Sequence, residues 1–242
     1  MTISPPTKRT PLYATVEQLQ AEFIEQAGWQ IANRFADPET ELEAAQHRLA
    51  LADCSAIGKI MVQGQGAESR LQSLWAVPLL NLGRGLALAD KQVYRLRADR
   101  YLITTPPDRT EETVETLTAA APNGAELLTV TDITHGRSEL WLLGPAGRTL
   151  LNRLCGLDLQ AAVFPNLTAK SSSVAKTTQL IIRHDLDNRH AWGDLLAYRL
   201  IGAASLGPYL WQTIMAAGAD LGISPLGAAA LDSLGWPAGG ER

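Results

Sequence analysis

The densest group of chemistry-bearing side chains in this sequence is the run RHDLDNRH, which holds His184, Asp185, Asp187 and His190. Imidazole nitrogens and carboxylate oxygens are the donors a zinc ion takes. The same run lies between two apolar stretches and contains Asp-Asn, which is good turn chemistry, and the turn is the preferred reading. Asp53 and Asp132 form a second candidate set. Each precedes a Ser or Thr by two positions. Two carboxylates facing each other across a seam could divide acid and base roles, or each could cap backbone N–H groups at the start of a strand. Because both sit at the same place in a repeated segment, capping is favoured. Ser171, Ser172 and Ser173 offer hydroxyls, but no GxSxG elbow or glycine-rich phosphate loop surrounds them, so they read as a solvated strand edge. Cys54 and Cys155 have no CxxC partner and read as buried thiols. Of the six tryptophans most are core candidates, while Trp29 and Trp192 could flank a planar ligand.

The repeat organises the rest. LADCSAIGKIMVQGQGAESRLQSL, from Leu51, is echoed by VTDITHGRSELWLLGPAGRTLLNRL, from Val130. Asp53 matches Asp132, Ser55 matches Thr134, Gly64 matches Gly144, Ala67 matches Gly147 and Leu71 matches Leu151. A spacing of about 80 residues is too long for a solenoid unit. It predicts two similar halves packed face to face, with any ligand between them.

The 242 residues suffice for one large or two small domains, and 46% apolar with 19% charged residues is the composition of a globular protein. The net charge of −4 gives no electrostatic reason to expect nucleic acid or a membrane surface. No apolar run is long enough for a membrane span or a signal-peptide core, which predicts a cytoplasmic protein.

Helical spacing of Val16, Leu19, Phe23 and Ile24 predicts a helix over 15–27, and Leu42, Ala45 and Leu49 predict another over 39–50. The first half then reads as strand 58–63, helix 66–75, a hairpin over 86–96 and 100–105, helix 110–120 and strand 125–131. The second reads as strand 138–143, helix 146–154, strands 168–175, 179–183 and 192–200, helix 205–218, a short strand 222–225 and a helix over 226–234. Strand–helix–strand–strand–helix–strand, twice, predicts an α+β protein of two tandem ferredoxin-like halves. The expected organisation is 1–50 as tail and helices packing on the core, 51–131 as the first half, and 132–242 as the second.

Several motifs, in order, resemble the glycine cleavage T-protein (aminomethyltransferase) superfamily. They are Pro11-Leu12-Tyr13, Gly28-Trp29, the Glu43/Ala45/Arg48 helix, Asp53-x-Ser55-x-x-Gly58, Gly144-Pro145-Ala146, Pro225-Leu226-Gly227-Ala228 and Leu231-Asp232-Ser233-Leu234. Between Leu151 and Lys176 the chain is most similar to the sarcosine oxidase gamma subunit, through Cys155-Gly156-Leu157-Asp158-Leu159, Phe164-Pro165 and Ser173-Val174-Ala175-Lys176. The resemblance implies the aminomethyltransferase folate-binding fold, tetrahydrofolate in a central channel, and no metal. It also implies a catalytic carboxylate, for which Asp90 is the candidate, with Asp90, Trp29 and Trp192 as cofactor-binding candidates.

The sequence departs from the family pattern at four places. The loop before the family's Asp-Asp pair is shortened to Asn81–Leu88, and the pair itself is Ala89-Asp90. The Tyr-Thr-Gly-Glu folate motif has no counterpart in the aligned stretch Asp185–Trp192. Gly235-Trp236-Pro237 stands where the family has Arg-x-Glu. The family's C-terminal barrel domain is not expected. Each missing charged hydrogen bond costs folate affinity roughly 1.5–3 kcal/mol. Three readings follow: a non-catalytic subunit of an amine-demethylating oxidase complex with a protein partner, a tetrahydrofolate-dependent aminomethyl- or methyltransferase, or a small-molecule binder reusing the channel.

Overall fold

The computed structural model describes residues 7–119, 127–186 and 195–234. The chain opens with β1 (Lys8–Arg9), α1 (Tyr13–Gln18) and a hairpin of β2 (Glu22–Gln26) and β3 (Trp29–Arg34). The helix expected over 15–27 therefore stops early. Gln26 pairs with Trp29, leaving a two-residue loop in which Ala27 and Gly28 both have positive φ, 50° and 75°. That is the type I′ geometry of a tight hairpin, and it outweighs the helical spacing. β1 runs parallel to β3, giving a small sheet of order β1-β3-β2.

Next come α2 (Pro38–His47) and β4 (Leu49–Asp53). Asp37 caps α2 by accepting from the Glu39 amide, with Pro38 in the first turn. The first half follows as β5 (Gly58–Gln63), α3 (Ala67–Trp75), β6 (Gly85–Ala87), β7 (Gln92–Arg97), β8 (Arg100–Thr105), α4 (Thr110–Thr118) and β9 (Thr129–Asp132). The second is β10 (Arg137–Leu143), α5 (Gly147–Leu154), β11 (Ala169–Val174), β12 (Thr177–Arg183), β13 (Ala197–Ala203), α6 (Gly207–Ala217), β14 (Ile223–Pro225) and α7 (Ala228–Ser233).

The architecture is mixed α and β. A five-stranded sheet has the order β6-β7-β8-β5-β9, and a six-stranded sheet the order β11-β12-β13-β10-β4-β14. The halves exchange strands. β4, which leads into the first half, pairs antiparallel with β10 of the second, with Asp53 opposite Leu140. β9, which leads into the second half, pairs antiparallel with β5 of the first, with Asp132 opposite Ile60. Because β4 is covered on both faces, it reads as an unbroken apolar run, LALA. Leu49 and Leu51 pack with Leu140, Leu142, Leu210 and Trp211. Ala50 and Ala52 face Trp141, Leu143 and Leu231 on the other side. A separate cluster of Ile60, Val62, Leu71, Val93, Ile103 and Leu117 closes the first half.

Candidate functional site

The repeated Asp-x-Ser/Thr segments build the junction between the halves. The Asp53 carboxylate accepts from the Ser55 amide at 3.0 Å and the Ser55 hydroxyl at 2.6 Å. The Asp132 carboxylate accepts from the Thr134 amide at 2.8 Å and the Thr134 hydroxyl at 2.5 Å. Both aspartates are thus turn caps. Each hydroxyl then reaches across: Ser55 Oγ accepts from the Glu139 amide at 3.0 Å, and Thr134 Oγ1 from the Lys59 amide at 2.9 Å. The two bonds are related by the repeat, in which Lys59 and Glu139 are equivalent positions. Burial pushes the Asp53 carboxyl up, against the hydrogen bonds from Ser55 and Thr10.

Where these strands cross, Lys59 and Glu139 meet in an ion pair of 3.0 Å, and both side chains are fully buried. Glu139 also binds Arg199 Nε at 2.6 Å and accepts from the Trp141 indole at 2.7 Å. Arg199 Nη1 continues to Gln92 at 3.2 Å and Thr104 at 3.1 Å, on the opposite sheet. Lys59 Nζ donates to the carbonyls of Ser55 and Ile57 at 3.2 and 2.7 Å. Burial alone would raise Glu139, but the Arg199 and Lys59 charges hold its carboxyl below the ordinary value. Burial lowers Lys59, and Glu139 only partly offsets it. For Arg199 burial works downward, but the Glu139 charge and hydrogen bond together with Tyr94 outweigh it, and the guanidinium is raised from its ordinary value.

At one side of this network Tyr94 OH and His184 Nδ1 lie 3.1 Å apart. Burial pushes Tyr94 up to about 12. Burial first, and then the Arg199 charge, push His184 down to about 4. An unfolded chain takes up this proton near the ordinary 6.5 while the folded protein resists it until about 4. Between those values the unfolded state holds more protons, so stability is full above the upper value and falls with pH toward the lower one. The loss expected from this residue is on the order of 3 kcal/mol. Urea unfolding of wild type and His184→Gln across that range checks it: the variant's stability should vary less with pH than the wild type's.

The candidate residues from the sequence do not come together. Asp90 sits in the loop between β6 and β7, about half exposed and ion-paired with Lys91. Trp29 is 4% exposed, and its ring stacks on His135 at 4.8 Å. Trp192, like Asp187 and His190, lies outside the described residues. His184 and Asp185 diverge, the first toward Tyr94 and the second onto Arg183 at 2.7 Å. An isolated antiparallel bridge joins Leu186 to Leu195. Ser171 to Ser173 lie on β11, the outermost strand of its sheet. Both cysteines are free and buried, and burial pushes the Cys54 thiol well up.

Two open clefts flank the Trp29–His135 stack, of about 410 and 630 Å³. The larger runs from Lys8 past Asp132 to Glu111 and Glu115 of α4, and the smaller from Arg9 to Ser205 and Pro208. Asp90 lines neither. Lys59, Glu139 and Arg199 were not among the sequence candidates. The available signal was the repeat itself, which aligns a lysine with a glutamate inside two apolar strands.

The same arrangement of sheets occurs in solved proteins. The crystal structure of glycine cleavage system aminomethyltransferase T from Bartonella henselae superposes with a TM-score of 0.79 at 20% identity, over 98% of this chain and 64% of that one. A heterotetrameric sarcosine oxidase from Corynebacterium sp. U-96 gives a TM-score of 0.60 at 20% identity, over 76% of this chain and 93% of the matched chain. At that identity the likeness is one of fold. The chain belongs to the GCVT N-terminal domain family, whose model matches residues 12–239. It is 29% identical to an aminomethyltransferase of Geobacillus kaustophilus over 96% of its own length, and 27% identical to one of Halothermothrix orenii over 94%. It spans 64% of the length of each of these relatives. No helix among the described residues is long and apolar enough to cross a membrane.

Proposed function

We propose that this chain is a T-protein-like, sarcosine-oxidase-gamma-like component of folate-linked one-carbon metabolism. In this reading it is a non-catalytic subunit of an amine-demethylating oxidase complex. The observation that carries the reading is the Lys59–Glu139–Arg199 network. At the crossing of the two repeats these side chains are fully buried and bonded to one another across the sheets. Lys59 and Arg199 are paired with Glu139, with Arg199 Nη2 left without a hydrogen-bond partner among the described residues, and Asp90 lies in an outer loop on Lys91. The match to a chain of a heterotetrameric sarcosine oxidase over 93% of that chain supports a subunit role.

The halves are read as ferredoxin-like units, 51–131 and 132–242, with 1–50 packed on them. Support comes from the antiparallel order β9-β5-β8-β7, which is that unit's strand order, with α3 and α4 as crossovers. In the second half the inserted β4 separates β10 from β14.

Purification of the tagged chain from its native host tests the subunit role. The expected result is a stoichiometric complex that oxidises an N-methyl amine, with no turnover by the chain alone. A chain that runs alone and by itself transfers one-carbon units to tetrahydrofolate would overturn the reading.

The second reading is a tetrahydrofolate-dependent transferase, with Asp90 as its carboxylate and Trp29 and Trp192 beside the cofactor. Its support is the identity to aminomethyltransferases along nearly the whole chain. It expects tetrahydrofolate binding that Asp90→Asn weakens about tenfold or more. Equal binding by the variant would remove Asp90 from the site.

A further inference from the structure

The first turn of α5 departs from its repeat partner in a way that leaves a site open. Ala146 caps α5 without a side-chain hydrogen bond, and no acidic residue stands in the first turn. The Gly147 amide donates to Gly144 O and the Leu150 amide to Ala146 O, both at 3.0 Å. The Arg148 and Thr149 amides between them are the outward donors that a helix N-terminus presents. Over them lies a cavity of about 220 Å³, lined by Arg148, Thr149 and Tyr198 on its polar side and by Leu159 and Leu196 on its apolar side.

Tyr198 is the second, independent observation. It is only 1% exposed, and its hydroxyl makes no hydrogen bond among the described residues. A side chain at Gly147 would begin 3.4 Å from the ring's Cδ2 and 3.6 Å from Cε2, so the ring edge stands against the start of the helix. A buried phenol without a partner is costly unless something completes it. Arg148 is exposed and forms no ion pair among the described residues. Arg183, on the cavity wall, is already held by Asp185 and by the Phe164 carbonyl.

The first half places a carboxylate at the same point of the repeat, although the Tyr101 hydroxyl there has no hydrogen-bond partner among the described residues. Tyr101 lies opposite Val62 and Arg95 as Tyr198 lies opposite Leu142 and Arg183. Ala67 and Gly147 begin the equivalent helices. The next residue is Glu68 in the first copy, where its carboxylate pairs with Arg95 at 3.4 Å. In the second copy that residue is Arg148. The first half carries its own carboxylate at the helix N-terminus, and the second replaces it with a cation.

The geometry points to a binding site for a small organic anion at the N-terminus of α5. Its oxyanion group, a carboxylate or a phosphate, takes the place that Glu68 fills in the first half. It accepts from the Arg148 and Thr149 amides, the Tyr198 hydroxyl and the Arg148 guanidinium, where the helix dipole favours negative charge. Its apolar part rests on Leu159 and Leu196.

Amide NMR titrations of the full chain with inorganic phosphate and, separately, with propionate test the site and separate the two sources. The expected result is a saturable shift of the Arg148 and Thr149 amides with at least one anion, and the tighter of the two identifies the group. Arg148→Glu, which installs the first half's residue at an exposed position, should abolish the shift. Tyr198→Phe should weaken binding about 5–10-fold. No saturable shift with either anion, or unchanged affinity in Arg148→Glu, would overturn the proposal.

Discussion

Replacing Glu139 with alanine is expected to lower the unfolding free energy by about 3–5 kcal/mol, the cost of breaking a buried ion pair by removing one partner. The reason is specific to this junction. Glu139 is the single carboxylate bonded to both Lys59 and Arg199 within the network, and all three side chains are fully buried. Without it two cations face each other in a low-dielectric interior, and the Trp141 indole loses its acceptor. Glu139→Gln should cost less, because the amide oxygen can still accept from Trp141 while the charge is gone. The pH dependence has a definite sign. Glu139 is held below its ordinary value of 4.5, so its contribution is present above that value. It is lost as pH falls through the folded-state value. Urea unfolding near neutrality and in acid checks both points: the difference between wild type and Glu139→Gln should shrink in acid.

Gly144→Ala is the second change with a large expected effect, a loss of at least ~2 kcal/mol from backbone strain, with the steric clash adding to it. Gly144 has φ of 121°, where an L side chain is strained, and an added Cβ would sit 2.5 Å from the Arg48 carbonyl oxygen and 2.9 Å from that of Ala45. Neither neighbour can rotate away, because both contacts are to backbone. Its repeat partner Gly64 has φ of 128° and would meet the Leu127 carbonyl at 1.9 Å. Gly64→Ala should therefore be destabilising as well. Circular-dichroism melts of both variants against wild type test the pair.

The repeat made much of this fold legible. Strand 58–63 has its expected bounds, and the second arm of the expected hairpin, 100–105, is β8. The capping role of Asp53 and Asp132 followed from their identical settings, and both are turn caps. The strand exchange was not legible. β4 and β9 have the same sequence relation to either sheet, and only packing decides which one each joins. The hairpin at 22–34 was hidden because Phe23 and Ile24 extend the helical spacing of Val16 and Leu19, while the Ala27-Gly28 turn that breaks it carries a weaker signal. The ion network was missed for a physical reason: a lysine or arginine in a strand is ordinarily solvent-facing. Only the crossing of the two halves brings Lys59, Glu139 and Arg199 together.

The central claim is that the meeting of the two sheets is closed by protein side chains rather than kept open for a folate. Isothermal titration of the purified chain with 5-formyltetrahydrofolate tests it most directly. The expected result is no binding heat up to about millimolar ligand, a free energy weaker than roughly −4 kcal/mol. Saturable binding at about micromolar concentration, reduced by Asp90→Asn, would contradict the claim and put the transferase reading in its place.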